Sequence, residues 1–168
     1  GLALWFDGHA EAAQASFEEG LRVNPYDSDL MAELGLRRIF RCEWETGVAL
    51  LTASFDANPA QPSAYRIGLA LWHFAMGRHF EALCEIGRID VPGAIHIAVL
   101  KAAAAAESGD MALAETAVRE TLAIDPNYAA VAARDLRARG LSAPLVAMVL
   151  AGLAKAGIAA QPEASALQ

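Results

Sequence analysis

The stretch "ETGVALLTASFDANP", residues 45–59, decides the fold once it is set beside "AEAAQASFEEGLRVNP" (10–25) and "ALAETAVRETLAIDP" (112–126). Each reads as an amphipathic helix of small and apolar residues that stops at Asn-Pro or Asp-Pro. Asn24-Pro25 and Asn58-Pro59 lie 34 residues apart, and Asp125-Pro126 follows later. A proline there cannot continue the helix, since it has no N–H and clashes with the turn before it. It therefore sets the entry into the next helix.

Upstream of each stop a short breaker splits the unit into two helical halves. The breakers are Gly8, the Cys42-Glu43 turn, Gly77 and Gly109, spaced by 34, 35 and 32 residues. Small and large residues recur in that register: Met31, Leu34, Gly35 with Gly47, Leu51, Ser54 in the second unit, Ala13, Phe17, Gly20 in the first, and Ala114, Val118, Thr121 in the fourth. Small residues let paired helices approach while the large one fills the groove between them. A helix-turn-helix unit of this length and pattern resembles the tetratricopeptide repeat family over roughly residues 1 to 126.

The resemblance implies an all-α, TPR-like α-α superhelix of about four helical hairpins, the first incomplete, plus C-terminal capping helices. The expected units are 1–25, 26–59, 60–91 and 92–126, followed by capping helices over 127–156 and a flexible tail over 157–168. Arg38 stands where the family usually has an aromatic, and Trp72 and His73 straddle that position in the third unit. The third unit carries one extra residue near Pro62, and its second helix is short before Val91-Pro92-Gly93, which predicts a local change of pitch. Gly1 aligns with the middle of a first helix, so the natural protein is expected to extend further toward its N-terminus. At the other end "NYAAVAARDLRARG" (127–140) reads as a helix stopped by Gly140. Ser142 is placed to cap "APLVAMVLAGLAKAG" (143–157), whose Leu145, Val146, Val149, Leu150 and Leu153 form a stripe fit to cover the last hairpin.

Composition narrows the function. Hydrophobic residues make up 55% of the 168, yet the longest apolar run, Ala94 to Ala106, contains His96 and Lys101 and is too short to span a bilayer. A net charge of −7 argues against direct nucleic-acid contact, because phosphate binding needs a basic surface. Cys42 and Cys84 have neither metal-ligand spacing nor a disulfide framework, which points to a reducing, cytoplasmic setting. His79-Phe80-Glu81 has the His-x-Glu of zinc deaminases without the Pro-Cys-x-x-Cys that must follow. HExxH, a Gly-rich phosphate loop and a nucleophile elbow are all missing from the sequence, so no enzyme and no cofactor is expected.

In the family, the first helices line a concave surface that binds extended peptides or partner helices. Carried over by register, that groove comprises Leu2, Trp5, Phe6, Ala32, Leu36, Ile39, Phe40, Ile67, Leu71, Phe74, Val99 and Ala103. Each alone is more simply a core residue, but an array cannot bury both faces of every helix, and an apolar face left over marks a partner site. Arg37, Arg38 and Arg41 cluster at the end of a first helix, either as an anion contact or as dipole-favourable charges paired with Glu43 or Glu45.

The leading expectation is a non-catalytic protein–protein interaction or scaffold module with a peptide partner in an apolar groove. Pro62, Tyr65, Leu69, Ala70, Gly77, Arg78, Glu81, Ala82 and Leu83, with the terminal "AGLAKAG", look like the C-terminal repeat regions of bacterial transcriptional regulators and class III nucleotide cyclases. That likeness implies the alternative of a regulatory or sensory domain binding a small ligand. A self-association unit, with the C-terminal stripe as a homodimer seam, is the third reading.

Overall fold

The computed structural model describes residues 9–159, and among them every regular element is helical. Nine α-helices follow one another: α1 (Ala10–Val23), α2 (Ser28–Phe40), α3 (Trp44–Ala57), α4 (Arg66–Ala75), α5 (His79–Ile86), α6 (Ile95–Ser108), α7 (Met111–Ile124), α8 (Tyr128–Ala138) and α9 (Ala143–Ala156). None of them is long and apolar enough to cross a membrane. Leu2, Trp5, Phe6 and Gly8 lie outside the described residues, as does the tail from residue 160.

Two kinds of turn alternate along the chain, and both are local consequences of the sequence. At the breakers the helix ends in a left-handed residue, Cys42 (φ 64°), Gly77 (φ 71°) or Gly109 (φ 86°). The next amide then reaches back five residues: Glu43 to Arg38 O, Arg78 to His73 O and Asp110 to Ala105 O, each at 2.9 Å. This is the Schellman arrangement, which satisfies the carbonyls a helix end leaves open. At the Asn-Pro and Asp-Pro stops the side-chain oxygen accepts from the amide two residues on: Asn24 from Tyr26, Asn58 from Ala60, Asp125 from Asn127. The main-chain oxygens of Asn24, Asn58 and Asp125 each accept from the amide three residues on, so one turn is built three times.

Consecutive helices pack in pairs, α2 with α3, α4 with α5, α6 with α7, and the first helices α2, α4 and α6 lie side by side. The tightest pair is α2/α3. Gly35 and Gly47 face each other so closely that a Cβ on either would stand 3.0 Å from the other's carbonyl oxygen. The extra residue near Pro62 takes the form of a 3₁₀ turn, Ser63–Tyr65, and α5 ends at Ile86 after only 8 residues.

The C-terminal helices do not simply continue the stack. α9 packs chiefly on α6 and only lightly on α7. Along that contact Arg139 meets His96, Gly152 meets Ala103 and Lys155 meets Glu107. Residue numbers rise together on both sides, so α9 runs in the same sense as α6. Strict alternation of helix direction through α7 and α8 would give the opposite sense. Ser142 also departs from expectation. Its side chain caps nothing on α9; its hydroxyl sits 3.1 Å from Cys42 Sγ, and its N–H donates to Phe40 O at 2.8 Å. The tail expected from residue 157 begins later, because Gly157 (φ 105°) closes α9 and Ile158 is buried, its amide donating to Leu153 O.

Candidate functional site

The face formed by α2, α4 and α6 is roofed by α8, α9 and the turn between them. A cavity of about 320 Å³ remains beneath the roof. Leu36 and Phe40 from α2, Ile67 and Leu71 from α4, and Val99 and Leu100 from α6 form its floor. Leu136 of α8, Leu141 of the turn and Val149 of α9 close it from above, with Pro62 and Ala64 at one edge.

Two polar groups line the same space. In the first, Tyr65 Oη donates to Glu33 Oε1 at 2.7 Å and Arg37 Nη2 donates to Glu33 Oε2 at 3.0 Å. Burial, reinforced by the hydrogen bond to Glu33, pushes the Tyr65 phenol well above its ordinary value, so it stays a donor. Burial lowers the proton affinity of Arg37, and the Glu33 carboxylate works against that. In the second group, Tyr128 Oη and Arg139 Nε both donate to Asp135 Oδ2, at 3.1 and 3.0 Å, and Arg139 Nη1 lies 3.3 Å from His96 Nδ1. A guanidinium only donates, so His96 Nδ1 accepts and the ring's own proton belongs on Nε2. Burial holds His96 below its usual pKa of 6.5, and the charge of Arg139 acts in the same direction. Tyr128 is 1% exposed, and its phenol is likewise raised, by burial first and then by Asp135.

Of the expected groove residues, Leu36, Phe40, Ile67, Leu71 and Val99 meet at this cavity. Ile39 does not. It is fully buried between α2, α3 and α4, where a Cβ on Gly47 would touch it at 3.0 Å and one on Gly68 at 3.8 Å. Phe74 is buried and faces a separate recess with His79, Glu107 and Met148. Ala32 and Ala103 are fully buried.

The three arginines do not converge. Arg37 turns to the cavity, while Arg38 bonds Glu18 of α1 at 2.7 Å and Thr46 at 3.1 Å, and Arg41 bonds Gln14 and Glu43. Arg38 and Arg41 thus tie α2 to its neighbours. The C-terminal stripe faces inward: Leu145, Val146, Val149 and Leu153 are buried in their own chain.

Sequence reading passed over Glu33, His96, Arg139, Leu136 and Leu141 as parts of one site. Arg139 looked like a helix-end charge, and His96, 43 residues away, carries no local signature of pairing with it. Among the described residues no group of His, Cys, Asp or Glu could hold a metal ion.

No protein-family model, curated protein or solved structure matches the chain. Fold and site therefore define it as an all-α domain of paired helices enclosing a mostly apolar cavity.

Proposed function

We propose that the chain is a non-catalytic binding module of the tetratricopeptide kind acting as a regulatory, ligand-sensing unit. A small molecule occupies the cavity and sets how firmly α8 and α9 stay on the α2–α4–α6 face. The observation that carries this reading is the roofed cavity itself, whose size falls in the range of small-molecule sites. The repeat assignment draws support from the two alternating turn types, which recur at the 34-residue period.

A partner's helix on the same face would have to displace α9. Leu145, Val146, Val149 and Leu153 would then lose their cover, at about 1.5–3 kcal/mol for each side chain exposed. A ligand that fits under the roof avoids that cost, so the small-molecule reading ranks above the peptide groove. In a longer protein the module would pass the state of its roof to an attached output domain, as the likeness to bacterial regulators suggests.

The test is a thermal-melt screen of small apolar and amphipathic compounds on the chain and on Ala64→Trp. Ala64 lines the cavity at its half-buried edge, so a tryptophan there fills the space without entering a packed core. Compounds that raise Tm in the parent chain and not in the variant, and that slow exchange of the Ser142 amide, are expected. Hits that act equally on both proteins, or leave that amide unchanged, would defeat the proposal.

A further inference from the structure

Resting on that reading, we infer that the ligand is a small amphipathic anion, an aliphatic monocarboxylate of about a dozen heavy atoms, held by its carboxylate where Arg37 and Arg139 flank the junction of roof and floor.

Size comes first. A cavity of about 150 Å³ takes benzene, or roughly 25 Å³ for each heavy atom. At that ratio, 320 Å³ holds roughly 13 heavy atoms. Wall chemistry comes next. Eleven of the sixteen lining residues are apolar, so most of the ligand must be hydrocarbon, and a larger or more polar molecule would leave its polar groups unmatched.

The sign of the charge follows from the ionised groups. The lining carries two guanidinium groups, Arg37 and Arg139, against one carboxylate, Glu33, which leaves a net +1 in a chain whose total is −7. Asp135 supports Arg139 from outside the lining. His96 accepts from Arg139 and so adds no positive charge. Positive groups set in low-dielectric walls draw an anion, and a buried carboxylate is tolerable only against such partners.

Position makes the charge useful. Arg37 stands three residues before Phe40, and Arg139 three before Ser142, and Phe40 O receives the Ser142 amide at 2.8 Å. The two arginines therefore sit one on each side of the place where roof meets floor. An anion between them strengthens that junction, which is how occupancy would hold the roof closed.

The experiment is isothermal titration calorimetry of the chain at pH 8 with three straight-chain probes: decanoate, 1-decanol and decylamine. Decanoate should bind at least about ten-fold tighter than either congener, an advantage expected of a charge-assisted contact. Arg139→Gln should remove most of that preference while leaving 1-decanol binding as it was, and Arg139→Lys should restore part of it. If decanol or decylamine binds within about three-fold of decanoate, the anion inference fails while the small-ligand reading survives. If none of the three binds, both fail. Should Arg139→Gln lose its helical circular dichroism, the comparison of the three probes on the parent chain decides alone.

Discussion

Replacing Gly152 with alanine tests the seating of α9 on α6. A Cβ built there stands 2.8 Å from Ala103 Cβ, 3.1 Å from Ala103 Cα and 3.2 Å from Ala103 O. Carbon atoms pack best at about 3.5–4.0 Å, so α9 would have to withdraw by roughly 0.7 Å. The obstacle is helix backbone and a methyl group, neither of which can rotate aside. Overpacking of this kind costs about 1–3 kcal/mol. Against it stands the helix propensity of alanine over glycine, about 0.8–1.0 kcal/mol in favour of the variant. The net expectation is a loss of about 1 kcal/mol. Were α9 free of α6, the same change would stabilise by about 1 kcal/mol, so the two pictures differ in sign. Urea unfolding measures the difference, with Ala151→Gly on the exposed side of the same helix as the propensity control. Hydrogen exchange then locates it. The Ser142 amide, which bonds across to Phe40 O, should lose protection, while the Glu43 amide, bonded within its own turn, should keep it. A stabilised variant with an unchanged Ser142 amide would refute the described packing.

Acid should weaken the fold in the histidine range. Burial lowers the pKa of both His73 and His96 from 6.5, so the unfolded chain binds protons that the folded chain refuses. This contribution is complete above pH 6.5 and declines as pH falls toward the lower folded values. Melts at pH 7.5, 6.5 and 5.5 should show Tm falling, with a shallower fall in His96→Gln; a Tm that rises on acidification would contradict the sign. At the α6–α7 turn, Gly109 has φ 86° and nothing within 4 Å of an added Cβ, so its cost is conformational alone. Gly109→Ala should lose about 1–2 kcal/mol and Gly109→Asn less. Equal stability of all three in urea would remove the left-handed turn as the reason for glycine there.

The turns were legible in the sequence because their causes are local. Asn24, Asn58 and Asp125 each bond within three residues, and the left-handed caps at Gly77 and Gly109 need only glycine. Cys42 shows that even a non-glycine can fill that place, and the spacing identified it where composition alone would not. Helix α5 was legible as short because Val91-Pro92-Gly93 leaves it no room. The cavity was half legible. Register found five of its floor residues, but register treats every first helix alike, and so it also named Ile39 and Phe74, which point elsewhere. Whether an apolar position on a first helix faces a cavity or a neighbouring helix depends on what lies across from it, and that partner is distant in sequence.

The roof is the part that no local rule could supply. The stripe from Leu145 to Leu153 announces that α9 will be buried, but not against which surface or in which direction. What selects α6 is an alanine-rich helix whose Ala98 and Ala102 to Ala106 are buried, slim enough for α5, α7 and α9 to pack round it together. Gly152 on Ala103 completes the close approach, and Lys155 on Glu107 continues it one turn further on. Toward the other end of α9 the residues grow large. Val149, Leu141 and Leu136 stand over Val99, Leu71 and Phe40 with space left between them. The same gradient of side-chain size that seats one end of α9 thus creates the cavity beneath the other. A ligand in that space would fill the one region where roof and floor are not already in contact.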